Sequence, residues 1–267
     1  MMLQDKKYDD LQAKLKQMGS VVVAFSGGVD STFLLAAGKE ALGKNILAVT
    51  VSTPYVAGWE EKESKEIAYG LGVEQAILEY PLFENIKNNP PQRCYLCKKQ
   101  IFSAILEEAD RRGYNTVADG TNIDDYQDIR PGIKALRELN IKSPLAEANM
   151  GKDDIRRLSK EMGLPTWDKP AYACLLSRLP FHTPIRQEVL DRIEQAEQLI
   201  RNAGFPAARV RTHNDIARIE LPPETLQKFM QKSFETGLPQ KIKDLGYKYV
   251  TLDLEGYKMG SFNEPEK

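Results

Sequence analysis

The chain has 267 residues, with 37 Lys and Arg against 38 Asp and Glu, which gives a formal net charge of −1 at pH 7. This length accommodates one large domain or two modest ones, and the balanced charge provides no bulk attraction to nucleic acid. The apolar runs fall far short of the roughly 20 residues that span a bilayer. Because the polar stretch from Met1 to Asp10 also lacks the apolar core of a signal peptide, the sequence predicts a cytoplasmic protein.

The first predicted strand, residues 21–25, runs directly into the loop Ser26-Gly27-Gly28-Val29-Asp30-Ser31, which opens a helix that ends near Gly43. The unpaired N–H groups and the dipole of a helix start attract anions, and glycines let a phosphate approach the main chain. Ser26 and Ser31 add hydroxyl donors, and Asp30 is placed to meet a magnesium ion or a nucleotide hydroxyl. The alternative is a tight turn without a ligand, but the pattern favours a nucleotide site.

The loop differs from two common phosphate-binding motifs, because it has neither a Walker lysine nor the Gly-x-Gly-x-x-Gly pattern. It resembles instead the SGGxDS signature of the PP-loop ATP pyrophosphatases, which split ATP between the α and β phosphates. The resemblance implies that ATP and Mg²⁺ bind at a set of loop residues: Ser26, Gly27, Gly28, Asp30 and Ser31.

Strands and helices alternate through the first two thirds of the chain. Predicted strands at 46–51, 73–80 and 116–119 are separated by predicted helices at 59–69 and 97–112, and a further helix follows at 152–162. Repeated β-α units predict an α/β fold with a parallel, doubly wound sheet and a ligand at the carboxyl ends of its strands.

The pattern changes after Pro184. A long helix at 186–202, two strands at 209–211 and 216–220, a helix led by Pro222-Pro223 and a closing strand at 247–254 predict a small α+β domain. We therefore divide the sequence into a PP-loop domain, residues 1–183, and a C-terminal domain, residues 184–267.

The chain has three cysteines, which is an odd number. This number and the reducing compartment expected for the protein both argue against a disulfide framework. Cys94 and Cys97 lie three positions apart at a helix start, where the helix dipole favours thiolates, and Cys174 follows far along the chain. A zinc site needs a fourth ligand, and neither His182 nor His213 has a zinc-ligand spacing. A redox pair does not need Cys174. A 4Fe-4S cluster held by three cysteines leaves one iron open.

Longer strings carry a more specific resemblance. Residues 164–180, 119–122, 128–132 and 209–220, together with the SGGVDS loop, are closely similar to the LarE family. These are ATP-dependent sulfur transferases that make the nickel-pincer cofactor of lactate racemase. The resemblance implies that MgATP adenylylates the carboxylates of pyridinium-3,5-biscarboxylic acid mononucleotide, after which sulfur replaces AMP and leaves a thiocarboxylate.

The family has two branches. In one, the cysteine that matches Cys174 gives up its own sulfur, and the thiols equivalent to Cys94 and Cys97 are missing. This chain has both thiols and so resembles the other branch, in which Cys94, Cys97 and Cys174 hold a 4Fe-4S cluster. The open iron of that cluster would deliver sulfide from an external donor. Family members also form rings of subunits, which implies a homo-oligomer.

The remaining site residues are those that match functional residues of the LarE family. Ser177, Arg209 and Arg211 match residues that hold the substrate phosphate, and arginines at i and i+2 on a strand share one face. Arg178 is a further candidate for neutralising phosphate, and Glu197 matches an acidic residue near the active site. A solvated strand face or an ordinary ion pair is the alternative for these residues. Asp119 and Arg130 are expected to bracket the adenylate.

Three rival functions remain open from the sequence. A tRNA-thiolating PP-loop enzyme would use the same cluster chemistry, but the neutral charge and the lack of an RNA-binding appendage count against nucleic acid. An ammonia-fed amidotransferase half would leave the cysteines idle. A nucleotide or iron-sulfur sensor would bind the same ligands without catalysis.

Overall fold

The computed structural model describes residues 5–126, 131–170 and 172–257. The chain forms two compact units. The N-terminal unit comprises Met1–Ile86 and Gln92–Tyr172, and the C-terminal unit comprises Lys87–Pro91 and Ala173–Lys267. The predicted domain boundary at residue 184 stays a prediction. No helix in the described ranges is long and apolar enough to cross a membrane.

The N-terminal unit contains a parallel sheet of four strands in the order β3-β2-β1-β4. Its strands are β1 (Val21–Ala24), β2 (Ile46–Ser52), β3 (Gln75–Glu79) and β4 (Val117–Ala118). Its helices are α1 (Lys6–Met18), α2 (Val29–Leu42), α3 (Gly58–Gly70), α4 (Arg93–Arg111), α5 (Pro131–Glu138), α6 (Pro144–Glu147) and α7 (Lys152–Glu161). The α/β class predicted from the sequence is confirmed.

Strand β1 is buried on both faces, which explains its unbroken β-branched sequence. Val21 and Val23 pack into one hydrophobic core with residues of α1, α2 and α7. Val22 points to the opposite face and packs with residues of α4 and α5. Because successive side chains point to opposite faces of a strand, β1 packs against the helices on both faces of the sheet. This is the arrangement of a doubly wound fold.

Four helices of this unit, α1, α4, α5 and α6, differ from the sequence-based expectation, and neither α5 nor α6 was predicted. Helix α1 was not predicted; Asp5 caps it by accepting the N–H groups of Lys7 (2.9 Å) and Tyr8 (3.1 Å). Helix α4 begins at Arg93, four positions before the predicted start at residue 97. Cys94 and Cys97 therefore both lie inside the first turns of α4.

The C-terminal unit is α+β, as predicted. It contains α8 (Gln187–Asn202), α9 (Leu226–Glu235) and α10 (Leu238–Lys243), with strands β5 (Arg209–His213), β6 (Ile216–Glu220) and β7 (Tyr249–Leu252). Strands β5 and β6 form an antiparallel hairpin, and β7 pairs parallel to β6. The hairpin turn uses Asn214 at φ 53°, a left-handed conformation that asparagine tolerates better than most residues.

Candidate active site

The glycine loop connects β1 to α2 in the way the sequence predicts. Gly27 has φ 69°, and a Cβ there would lie 3.1 Å from Cβ of Ser64, so a larger residue fits neither the backbone nor the space. The hydroxyls of Ser26 and Ser31 lie 3.1 Å apart, and Ser31 Oγ donates to the carbonyl of Gly28 at 3.3 Å. Gly28 caps α2 without a side chain, which leaves the first-turn N–H groups available to an anion.

Asp30 lies where three elements of the N-terminal unit converge. Its carboxylate pairs with Nζ of Lys152, the first residue of α7, and accepts Nδ2–H of Asn122 at 3.4 Å. Asp124 in turn accepts the backbone N–H of Lys152 at 2.7 Å. Lys152 was not predicted as a site residue, because the sequence shows only that a helix starts there.

Asp119 ends strand β4 as a buried carboxylate. Its Oδ2 accepts the hydroxyl of Thr121 at 2.5 Å, and its Oδ1 accepts the hydroxyl of Ser143 at 2.7 Å. These contacts order the turn beside Asn122, which reaches Asp30. The expected role of Asp119 at the adenylate stays a prediction, and Arg130 lies outside the described residues.

Lys169 is a candidate site residue that sequence reasoning missed. Only 9% of its side chain is exposed, and Nζ donates to the carbonyl of Gly27 and to Oε2 of Glu63, both at 2.9 Å. The rings of Trp59 and Tyr172 flank Nζ at 5.7 and 5.8 Å. The ammonium is therefore fixed against the glycine loop. The sequence signal that could have indicated Lys169 is its position within residues 164–180, a segment that carries the family resemblance.

Replacing Lys169 with Met should impair the glycine loop. We expect a roughly tenfold higher KM for ATP and a loss of about 1–3 kcal/mol in stability, the range for a hydrogen bond that involves a charged group. Steady-state kinetics and thermal unfolding measure the two effects. Lys62→Met removes an exposed lysine next to Glu63 and serves as control. Equal behaviour of the two variants would remove Lys169 from the site.

The two cysteines of the N-terminal unit lie at the start of α4. Residues at i and i+3 of a helix face the same side, so both thiols can approach one centre. Cys94 is exposed, whereas Cys97 is half-buried with its Sγ 3.1 Å from the hydroxyl of the buried Tyr55.

Cys174 belongs to the C-terminal unit and precedes a short 3₁₀ helix, Leu175–Arg178. Its carbonyl accepts the backbone N–H and the hydroxyl of Ser177 at 3.1 and 2.9 Å. None of the three cysteines forms a disulfide. Within the described ranges, no group of three or more His, Cys, Asp or Glu side chains is gathered to hold a metal. The thiols suit an iron-sulfur cluster in type, and the cluster itself stays a prediction.

Arg178 and Glu197 form a buried ion pair in the C-terminal unit. Nε and Nη2 of Arg178 donate to the two carboxylate oxygens of Glu197 at 2.8 and 3.0 Å. Nη1 of Arg178 donates to Oγ of Ser177 at 2.7 Å, and Oε1 of Glu197 accepts the N–H of Val210 at 2.9 Å. The pair therefore ties the 3₁₀ helix and β5 to α8.

Arg209 and Arg211 share one face of β5, as predicted, but their partners differ. Arg211 donates from Nε and Nη2 to the carboxylate of buried Glu220, both at 3.0 Å, and from Nη1 to the carbonyl of Ser177. The guanidinium of Arg209 lies 5.4 Å from the ring centre of Tyr257. A substrate phosphate would thus meet an Arg211 that is already paired with the carboxylate of Glu220. The expected binding of the substrate phosphate by Arg209 and Arg211 stays a prediction.

The parallel sheet and the Ser-Gly-Gly loop at a helix start define an α/β nucleotide-binding protein of the PP-loop class. The family model described as "Queuosine biosynthesis protein QueC" matches residues 20–123. The pyridinium-3,5-bisthiocarboxylic acid mononucleotide synthase of Lactiplantibacillus plantarum is 38% identical over 95% of this chain and 92% of that protein. The chain belongs to this synthase family, the LarE family of ATP-using PP-loop sulfurtransferases.

Two further relatives extend the similarity over nearly the whole chain. An uncharacterised protein of a Synechocystis strain is 39% identical over 97% of both chains. An uncharacterised protein of Methanocaldococcus jannaschii is 34% identical over 95% of this chain and 96% of its own. The similarity therefore includes residues 173–267 of the C-terminal unit, which the QueC model does not reach.

Proposed function

We propose that this enzyme converts the ring carboxylates of pyridinium-3,5-biscarboxylic acid mononucleotide to thiocarboxylates. The observation that carries the proposal is the 38% identity over 95% of the chain to a relative whose name states the bisthiocarboxylic product. The glycine loop supports it, because an anion site at a helix start suits the phosphates of ATP. We also propose a cytoplasmic homo-oligomer that receives sulfide from a small donor.

The first half-reaction activates a poor leaving group. A carboxylate oxygen of the substrate attacks the α-phosphorus of ATP, the bond to the bridging oxygen breaks, and pyrophosphate leaves with its electrons. The N–H groups of α2 and the hydroxyls of Ser26 and Ser31 hold the phosphates, and Asp30 meets Mg²⁺. Lys152, now paired with Asp30, supplies a positive charge for the departing pyrophosphate.

In the second half-reaction, sulfide attacks the acyl carbon and AMP departs with one of the original carboxylate oxygens. Cys94, Cys97 and Cys174 would hold a 4Fe-4S cluster, whose open iron offers a binding position for exogenous sulfide. The protein is then not consumed, unlike an enzyme that gives up the sulfur of Cys174.

The proposed substrate contacts lie mainly in the C-terminal unit. Ser177, Arg178, Arg209 and Arg211 are assigned to the substrate phosphate, and Glu197 orients Arg178 through their ion pair. Asp119 and Arg130 are assigned to the adenylate. Two arginines on one strand face support the first assignment, since a guanidinium fork matches a phosphate.

The proposal is tested by anaerobic turnover of the mononucleotide with MgATP and sulfide. We expect AMP and pyrophosphate in equal amounts, together with a product in which sulfur replaces carboxylate oxygen by mass spectrometry. Omitting ATP is the control. Formation of ADP, or transfer of sulfur to unmodified tRNA in place of the mononucleotide, would contradict the proposal.

Arg211 provides a prediction specific to the substrate phosphate. We expect Arg211→Gln to raise the KM of the mononucleotide at least about tenfold, since it loses charged hydrogen bonds, and to leave the KM of ATP unchanged. Removing Arg211 alone leaves the buried Glu220 carboxylate with the more exposed Arg218 as its remaining cationic partner, which is a source of structural damage. The double variant Arg211→Gln/Glu220→Gln is therefore the control; a normal KM in that variant would show a purely structural role.

A further inference from the structure

A cavity of about 450 Å³ lies in the C-terminal unit, apart from the residues assigned above. We call it the α8 pocket and define it by Arg186 and Arg192 at the start of α8 and by Thr212, His213 and Asn214 at the β5–β6 turn. Its volume falls within the range of pockets that hold small-molecule ligands.

Two polar atoms of the α8 pocket are buried without a partner. Nε of Arg192 and Nε2 of His213 form no hydrogen bond within the described part of the chain. Arg192 is otherwise well fixed, since its guanidinium stacks on the ring of Tyr247 at 4.4 Å and donates from Nη1 to the carbonyl of Gly246 at 3.1 Å. Unsatisfied buried donors are costly, so an acceptor that reaches these two nitrogens would stabilise this unit.

The charge of the α8 pocket favours an anion. Arg186 is exposed, and its guanidinium forms no hydrogen bond or ion pair with another described residue. The acidic lining residue, Asp215, is already paired with Lys248 at 2.6 Å. Burial, reinforced by nearby arginines, lowers the pKa of His213, so the imidazole is neutral at pH 7. In the tautomer that is protonated at Nε2, this nitrogen donates a hydrogen bond.

The rest of the lining is apolar. Leu179, Pro180, Pro184 and Val189 form a wall that can contact the organic part of a ligand. In contrast, Arg178 and Arg211 elsewhere in this unit each bind a carboxylate. Arg186 and Arg192, which line the α8 pocket together with these apolar residues, retain unused donors.

We propose that the α8 pocket binds a phosphate monoester of mononucleotide size, with Arg186, Arg192 and His213 on the phosphate. The site is additional to those assigned in the proposed function, because neither the glycine loop nor Ser177, Arg209 or Arg211 lines it. Two sources supply this chemistry, the mononucleotide substrate itself or another phosphorylated small molecule.

Calorimetric titration of the full chain with inorganic phosphate and with nicotinate mononucleotide tests the proposal. We compare the wild type with Arg186→Gln and with Lys241→Gln, which removes an exposed lysine of the same unit. We expect Arg186→Gln to weaken one binding step at least about tenfold, the loss of a charged hydrogen bond, and Lys241→Gln to leave it unchanged. Any phosphate bound at the glycine loop, or at Ser177, Arg209 and Arg211, forms a separate step that both variants retain.

Hydrogen–deuterium exchange with each probe locates the binding. We expect protection of residues 183–192 and 212–215 in the wild type and its loss in Arg186→Gln. Identical titrations and exchange in all three proteins would overturn the proposal and leave the pocket to water. Turnover distinguishes the sources: a raised KM for the substrate in Arg186→Gln identifies the substrate, and an unchanged KM identifies another phosphate monoester. Binding is measured without turnover, so its failure is separate from failure of the proposed function.

Discussion

Asp30→Ala is expected to lower the rate of pyrophosphate release about 100- to 1000-fold, the loss typical of one electrostatic contact to a transition state. Asp30 stands at the start of α2, where its carboxylate joins the glycine loop to Lys152 and Asn122. Removing the carboxylate takes away the proposed magnesium ligand and releases Lys152 from its position. Pyrophosphate release at saturating ATP and mononucleotide measures the effect.

Asp153→Ala is the matched control for Asp30, because it removes an exposed aspartate next to Lys152. We expect this variant to behave as the wild type, and Asp30→Asn, which keeps the shape and loses the charge, to behave as Asp30→Ala. If Asp30→Ala retains the rate of the Asp153 variant, the carboxylate has no part in ATP chemistry.

Cys97→Ala is expected to separate the two half-reactions. The proposed adenylylation uses the glycine loop and should continue, whereas sulfur transfer should fall below detection because a proposed cluster ligand is lost. The comparison is pyrophosphate release against thiocarboxylate formation in the same sample. Ser103→Ala, on the same helix, should leave both unchanged. Joint loss of both half-reactions in Cys97→Ala would show that they are not separable.

Iron analysis extends this prediction to the other cysteines. After anaerobic reconstitution, the wild type should contain about four irons and matching acid-labile sulfide per chain, as a 4Fe-4S cluster requires, and Cys94→Ala should lose them. An iron-free but active wild type, with loss of H₂S from the Cys174 peptide after turnover, would indicate sacrificial sulfur transfer.

The sequence predicts those parts of the fold that depend on local pattern. The apolar run of β1, the glycine loop and the alternation with helices suffice for a parallel sheet, because burial on both faces demands continuous β-branched residues. Helix α1 was missed although Tyr8, Leu11 and Leu15 form a buried face at helical spacing. Its polar N-terminal residues were considered only as evidence against a signal peptide.

The candidate site is less predictable, because its contacts join residues distant in sequence. Lys169 reaches the carbonyl of Gly27 across 142 positions, and Lys152 reaches Asp30 across 122. Spacing rules operate within one helix or strand and cannot indicate such pairs. Likewise, the shared strand face of Arg209 and Arg211 was predictable, but the pairing of Arg211 with Glu220 depends on hairpin register.

The most direct test of the proposed activation follows the oxygen atoms of the substrate carboxylates. With ¹⁸O in those carboxylates, attack on the α-phosphorus followed by displacement with sulfide must leave one ¹⁸O in the AMP for each thiocarboxylate formed. Mass spectrometry of the AMP measures it. One ¹⁸O per AMP is the predicted result, and AMP free of ¹⁸O alongside thiocarboxylate would contradict an adenylylated carboxylate.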